Sequence, residues 1–121
     1  MQLKDSFYTA RPVDGGWQVH LQADHFIFKA HFPEQPVVPG VCQLKMAEEL
    51  LSAQTGRPLF LKEIKQIKYM KLLTPVQTPD LGFFFASLAP TETSLSVACQ
   101  VCGPDGAVYT KMSLVFVYER F

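Results

Sequence analysis

Apolar and polar residues alternate with a period of two at 17–22, where Trp17, Val19 and Leu21 interleave with Gln18, His20 and Gln22. Such spacing puts the two sets on opposite faces of a strand and predicts a half-buried β-strand, with His20 on the polar side. Residues 7–13 precede it, and Asp14-Gly15-Gly16 supplies positive φ at the turn, so the pair reads as a hairpin. Residues 24–28 lead into a proline-rich loop, with His25 at the surface or in a turn. The stretch 41–54 is the long run free of proline, glycine and β-branched clusters, and it predicts a helix. Val41, Leu44, Glu48 and Leu51 lie on one face of it, with Ala47 and Leu50 beside them. Gly56-Arg57-Pro58 ends it, the glycine serving as C-cap. Residues 59–73 are ambiguous: Lys62, Lys65, Lys68 and Lys71 recur every three residues with Ile64 and Ile67 between, which suits a helix at least as well as a strand. Residues 74–80 are loop, and three strand-like runs follow at 81–88, 94–102 and 107–118, with turns at 90–93 and 103–106. A single early helix needs a sheet large enough to bury it. The pattern therefore predicts an α+β architecture, a curved antiparallel sheet around one central helix.

Composition narrows this picture. A chain of 121 residues fits one domain over 1–121, and 48% hydrophobic residues supply a full core. The 11 basic and 11 acidic residues cancel, which argues against the global basic field of a nucleic-acid binder. The Met1 end carries Lys4 and Asp5 without an apolar stretch, and no run approaches the ~20 apolar residues of a membrane helix. The expectation is a soluble cytoplasmic protein with no nucleic-acid or membrane partner. An odd count of three cysteines does not suggest a disulfide framework. Cys99 and Cys102 form a C-x-x-C, but it lacks a second pair of metal ligands and ends a strand-like run instead of opening a helix. It reads as chance spacing, with the two thiols on opposite faces and Cys99 in the core, and Cys42 as a packing residue. No metal-ligand spacing or nucleotide-binding loop is visible.

The densest chemistry lies at residues 31–41, His-Phe-Pro-Glu-Gln-Pro-Val-Val-Pro-Gly-Val. Each proline fixes φ and disfavours helix at the residue before it, so the segment predicts a stiff loop feeding straight into the helix. A lone loop histidine is most often a hydrogen-bonded surface residue. The rigid frame and the adjoining helix end turn His31 into a candidate base. A helix N-terminus offers free N–H groups and a positive dipole end, so a base beside it suits proton abstraction next to a carbonyl.

His31-Phe32-Pro33-x-x-Pro36-x-x-Pro39-Gly40-Val41 resembles the signature of the β-hydroxyacyl-acyl carrier protein dehydratases, which have the hot-dog fold. Lys71-Leu72-Leu73-Thr74-Pro75-Val76-Gln77-Thr78-Pro79-Asp80 resembles a second, weaker segment of that family, and element order agrees over roughly residues 20 to 118. The resemblance implies a strand for the lysine-rich stretch and a homodimer or trimer of dimers, with the site at the dimer interface. It implies that His31 acts on the α-proton of a 3-hydroxyacyl thioester and that the Gly40 N–H polarises the thioester carbonyl. Phe32, Pro39, Val41 and Lys45 are the implied substrate-binding positions. The implied partner is an acyl carrier protein, and no cofactor is implied beyond the phosphopantetheine that arrives with the substrate.

One position departs from that signature. Five residues after Gly40, where the family has a carboxylate, stands Lys45. The family also has glycine at Glu34 and usually glutamine at Glu49. Glu49 lies one turn beyond Lys45 on the same helical face and is the candidate replacement carboxylate, with Glu48 and Glu34 as further candidates. Lys45 beside Glu48 and Glu49 also reads as a simple ion pair. Three readings follow: a dehydratase driven mainly by His31 and the helix end; a weak or inactive homologue that binds carrier-bound acyl chains; and a hot-dog thioesterase with Glu48 or Glu49 activating water. Lys62, Lys65, Lys68 and Lys71 read either as a carrier-binding patch or as a solvated face. Phe83-Phe84-Phe85 and Phe116 read either as core or as the wall of an acyl tunnel.

Overall fold

The computed structural model describes residues 2–30 and 34–120. Its elements run β1 (Tyr8–Val13), β2 (Gly16–Leu21), α1 (Phe26–Ala30), α2 (Gly40–Thr55), β3 (Phe60–Tyr69), β4 (Asp80–Pro90), β5 (Ser94–Cys102) and β6 (Val108–Val117). The strands form one antiparallel sheet in the order β1-β2-β4-β5-β6-β3, so β4, β5 and β6 make a meander while β1 and β3 are its two edges. Met46, Ala47, Leu50 and Leu51 of α2 join Val19, Leu21, Phe83, Phe85, Val97, Cys99, Leu114 and Phe116 of the sheet in one apolar core. Phe83, Phe85 and Phe116 thus serve packing, while Phe84 projects from the other face. Among the described residues no helix is long and apolar enough to cross a membrane.

The β1–β2 hairpin turns at Gly15, whose φ is 76°, a conformation open to glycine at little cost. Gly16 is required for space instead. A Cβ there would lie 2.9 Å from Phe84 Cα on the neighbouring strand β4, so a side chain would wedge the sheet apart.

Residues 24–28 differ from the expected loop approach, because α1 begins at Phe26. His25 organises that start: its Nδ1 accepts the Ile27 N–H at 3.2 Å, and its ring stacks on Phe26 and meets Phe7 edge-on. A helix of five residues is too short to display a 3.6-residue period.

Helix α2 matches its expected span to within a residue at each end, and Gly56 closes it in the left-handed region with φ 75°, donating to Ser52 O at 3.0 Å. Its buried face is Cys42, Gln43, Met46, Ala47, Leu50 and Leu51, so the expected face containing Val41 is corrected: Val41 is 72% exposed. The reason is a polar residue in the buried stripe. Gln43 is satisfied inside the protein by Thr110 Oγ1, which donates to Gln43 Oε1 at 2.6 Å. Burial of an amide needs such a partner, and hydropathy alone cannot reveal it.

The period of three in the lysine-rich segment has a physical cause in the sheet. Leu61, Ile64 and Ile67 of β3 stand opposite Phe116, Leu114 and Met112 of β6. Three residues on β3 therefore match two on β6 at each step. The extra residues fall at two register shifts, at Lys62 and Lys65, which are β-bulges. In β5, Leu95, Val97, Cys99 and Val101 face the core, and a register shift after Val101 buries Cys102 as well. The expectation of Cys99 in the core holds, and all three cysteines are free thiols.

Candidate active site

His31 and Phe32, the expected base and its neighbour, lie outside the described residues. The described part of the site starts where the proline loop meets α2. Val38 N–H donates to Leu73 O at 2.8 Å, tying the end of the loop to the segment after β3. Pro39 is the N-cap, in an extended conformation, and its carbonyl accepts the Cys42 and Gln43 N–H groups at 3.0 and 3.2 Å. Proline has no side-chain oxygen to cap the remaining donors. The Gly40 and Val41 N–H groups thus have no acceptor among the described residues, and the first turn carries no acidic side chain. This is an uncompensated positive helix end suited to a carbonyl or oxyanion.

A residue that the motif does not indicate stands at the same end. The ring of Tyr69, the last residue of β3, lies against Gly40: a Cβ on Gly40 would come within 2.7 Å of Tyr69 Cζ and closer still to the hydroxyl. Glycine is needed here for space. Burial pushes the Tyr69 hydroxyl above its ordinary value, so it remains protonated. No local signal links positions 40 and 69; β3 returning along β6 brings them together.

The helix carboxylates are committed elsewhere. Glu49 is the expected replacement for the missing acid, and its carboxylate is engaged with the N-terminal segment. Its Oε2 accepts the Leu3 N–H at 2.7 Å, and its Oε1 accepts the Lys4 N–H and the Tyr8 hydroxyl, both at 3.0 Å. Glu49 also follows Gly40 by nine residues, about 14 Å along the helix axis. Glu48 Oε2 accepts the Leu61 N–H at 2.7 Å, and its Oε1 accepts from Lys45 Nζ at 2.9 Å. Lys45, a candidate for substrate contact, is therefore ion-paired within its own helix. A cleft of about 690 Å³ runs along this side of α2, lined by Lys4, Lys45, Glu48, Glu49, Arg57 and Arg120 among others; Gly40 and Val41 are not among its lining residues. Glu34 is exposed, as are Lys62, Lys65, Lys68 and Lys71.

An antiparallel six-stranded sheet packed around one long helix defines a hot-dog domain. Within that class, residues 12–102 match the ApeI-like family, described as ApeI dehydratase, and the chain belongs to this dehydratase family. Among solved structures it is similar to the dehydratase heterocomplex ApeI:P from Xenorhabdus doucetiae, with 16% identity over 88% of this chain and 91% of that one and a TM-score of 0.58. It is also similar to a mutant thioesterase from Pseudomonas aeruginosa, with 14% identity over 91% and 79% of the two chains and a TM-score of 0.65. A hypothetical thioesterase with coenzyme A from Streptococcus pneumoniae gives 11% identity over 93% and 85%, with a TM-score of 0.63. At these identities the solved structures establish the fold. No curated protein matches the chain in sequence.

Proposed function

We propose that the chain dehydrates a 3-hydroxyacyl thioester held on an acyl carrier protein, giving the trans-2-enoyl thioester and water. The observation that carries this reading is the open helix end at Gly40, where N–H donors without an acceptor among the described residues adjoin the proline loop of a dehydratase-family chain. His31 takes the α-proton. The electron pair of the broken C–H bond forms the C=C bond, and the Cβ–O bond breaks. The departing hydroxyl takes the proton back from the imidazolium and leaves as water. Negative charge develops on the thioester oxygen during proton removal, and the Gly40 N–H stabilises it there. Phe32, Pro39 and Val41 contact the acyl group. The phosphopantetheine arm comes with the substrate, and the exposed Lys62, Lys65, Lys68 and Lys71 suit the acidic surface of a carrier.

A second reading has its own support. Both helix carboxylates are engaged in bonds to the backbone, and the ApeI:P relative is a heterocomplex. The chain would then act with another hot-dog subunit that supplies the carboxylate. Hydrolysis of the thioester is less well supported, because Glu48 and Glu49, the carboxylates that would activate water, are already engaged by backbone N–H groups.

The test is incubation of the purified chain with 3-hydroxyacyl-carrier protein, following loss of water by mass spectrometry. Enoyl product is expected, and His31→Ala should lower its rate by about 10²–10⁴-fold, the usual contribution of a general base. Release of free acid without loss of water would overturn the proposal. Turnover that appears only after a second hot-dog subunit is added would establish the two-subunit reading.

A further inference from the structure

We propose that the Tyr69 hydroxyl is the second hydrogen-bond donor to the thioester carbonyl oxygen that the Gly40 N–H receives, an assignment that rests on the dehydratase reading above.

Three observations carry it. The hydroxyl stands at Gly40, in space that a Cβ would fill, and a Cβ there would be two bonds from the nitrogen that the carbonyl must approach. Its root is fixed: Tyr69 pairs with Thr110, and the N–H groups of Met70 and Lys71 both donate to Tyr109 O, at 2.8 and 3.3 Å. The hydroxyl itself has no hydrogen-bond partner among the described residues, and the residue is 52% exposed, so a substrate can reach it from solvent. A ring that only covered the helix end would be served as well by phenylalanine. The hydroxyl adds a donor beside the helix end, where the Gly40 and Val41 N–H groups have no acceptor among the described residues. A tyrosine hydroxyl is protonated near neutral pH, and partial desolvation raises this one above its ordinary value, so it gives a hydrogen bond to the developing oxyanion without losing its proton. During dehydration Tyr69 makes and breaks no covalent bond. It holds the oxygen while the α-proton leaves, and its effect is greatest in the transition state, where charge on that oxygen is largest.

Tyr69→Phe keeps the ring over Gly40 and removes the hydroxyl alone. Loss of one oxyanion donor is expected to lower kcat by about 10²-fold, with KM changed by less than about threefold because the ground-state carbonyl holds little charge. Infrared spectra of an enoyl thioester bound to each protein give a second readout. The carbonyl stretch should move to lower frequency on the parent protein and move back toward the free value on Tyr69→Phe, a signature that ring packing does not produce. Unchanged kcat together with an unchanged carbonyl stretch would overturn the assignment. A parent protein inert both alone and with a second hot-dog subunit, whose bound carbonyl still shifts only when Tyr69 is present, would sink the dehydratase reading and retain Tyr69 as a carbonyl donor. Absence of both turnover and any Tyr69-dependent shift would sink the two together.

Discussion

At the scale of single residues, the adjacent glutamates of α2 show how a side chain suited to catalysis becomes committed to structure. Glu49 gathers two backbone N–H groups and the Tyr8 hydroxyl, three donors from positions 41–46 residues away in sequence. Charge-assisted bonds of this kind fix the carboxylate in place and occupy both of its oxygens. Burial, and then the nearby Glu49 charge, push the Tyr8 hydroxyl upward, so it stays a donor. Glu49→Ala removes the shared acceptor and strands the donors of the N-terminal segment. Stability should fall by about 2–4 kcal/mol in urea unfolding, while kcat of the folded fraction stays within about twofold of the parent. A large loss of kcat at unchanged stability would return Glu49 to the chemistry. The spacing Lys45, Glu48, Glu49 is legible in the sequence, and so is the Lys45–Glu48 pair. The donors that occupy Glu49 are not, because only the folded path of the N-terminus brings them to the helix.

At the scale of elements, β2 and β5 are legible because they alternate between buried and more exposed positions over most of their length, and β4 and β6 alternate over their first halves. The helix and its Pro39-Gly40 start are legible for a similar reason, being punctuated by residues with strong backbone preferences. β3 hides its character because two bulges stretch its apolar repeat from two residues to three. This accounts for the helix-like lysine period and makes an unusual prediction. Removing one residue from a regular strand reverses the facing of everything beyond it. Deleting Lys65 should not, since Ile64 and Gln66 already pair with successive residues Leu114 and Ser113. The shortened strand keeps Leu61, Ile64 and Ile67 opposite Phe116, Leu114 and Met112. Its melting temperature should stay within about 4 °C of the parent, corresponding to a cost of roughly 1 kcal/mol or less. Deleting Ile67 puts Lys68 opposite Met112 on the core face and should abolish cooperative melting. Equal damage from both deletions would show that Lys65 is not the extra residue.

At the scale of the whole molecule, an open sheet is held around its helix from both edges: Glu49 ties α2 to Tyr8 on β1, and Glu48 ties it to Leu61 on β3. The core so enclosed contains Cys42 and Cys99 from two different layers, with Cys102 buried at the end of β5, and burial raises all three thiols above their ordinary value of 9.0. The desolvated interior penalises the thiolate, so the folded state binds these protons more tightly than the unfolded chain does. The sign follows. Below pH 9 both states keep the thiols protonated and this contribution to stability is fully present. As pH rises past 9 the unfolded chain releases protons that the folded protein still holds, and stability falls until the folded thiols ionise too. The slope is about 1.4 kcal/mol per pH unit for each such group at full differential ionisation. Urea midpoints should therefore be level from pH 7.5 to 8.5 and decline between pH 9 and 10. Cys99→Ala removes the most deeply buried thiol from this sum. Whatever it costs in packing at pH 7.5, it should flatten the decline by close to one proton's worth. The same decline in Cys99→Ala as in the parent would mean that Cys99 is not held protonated by the core, and that the alkaline loss comes from groups outside it.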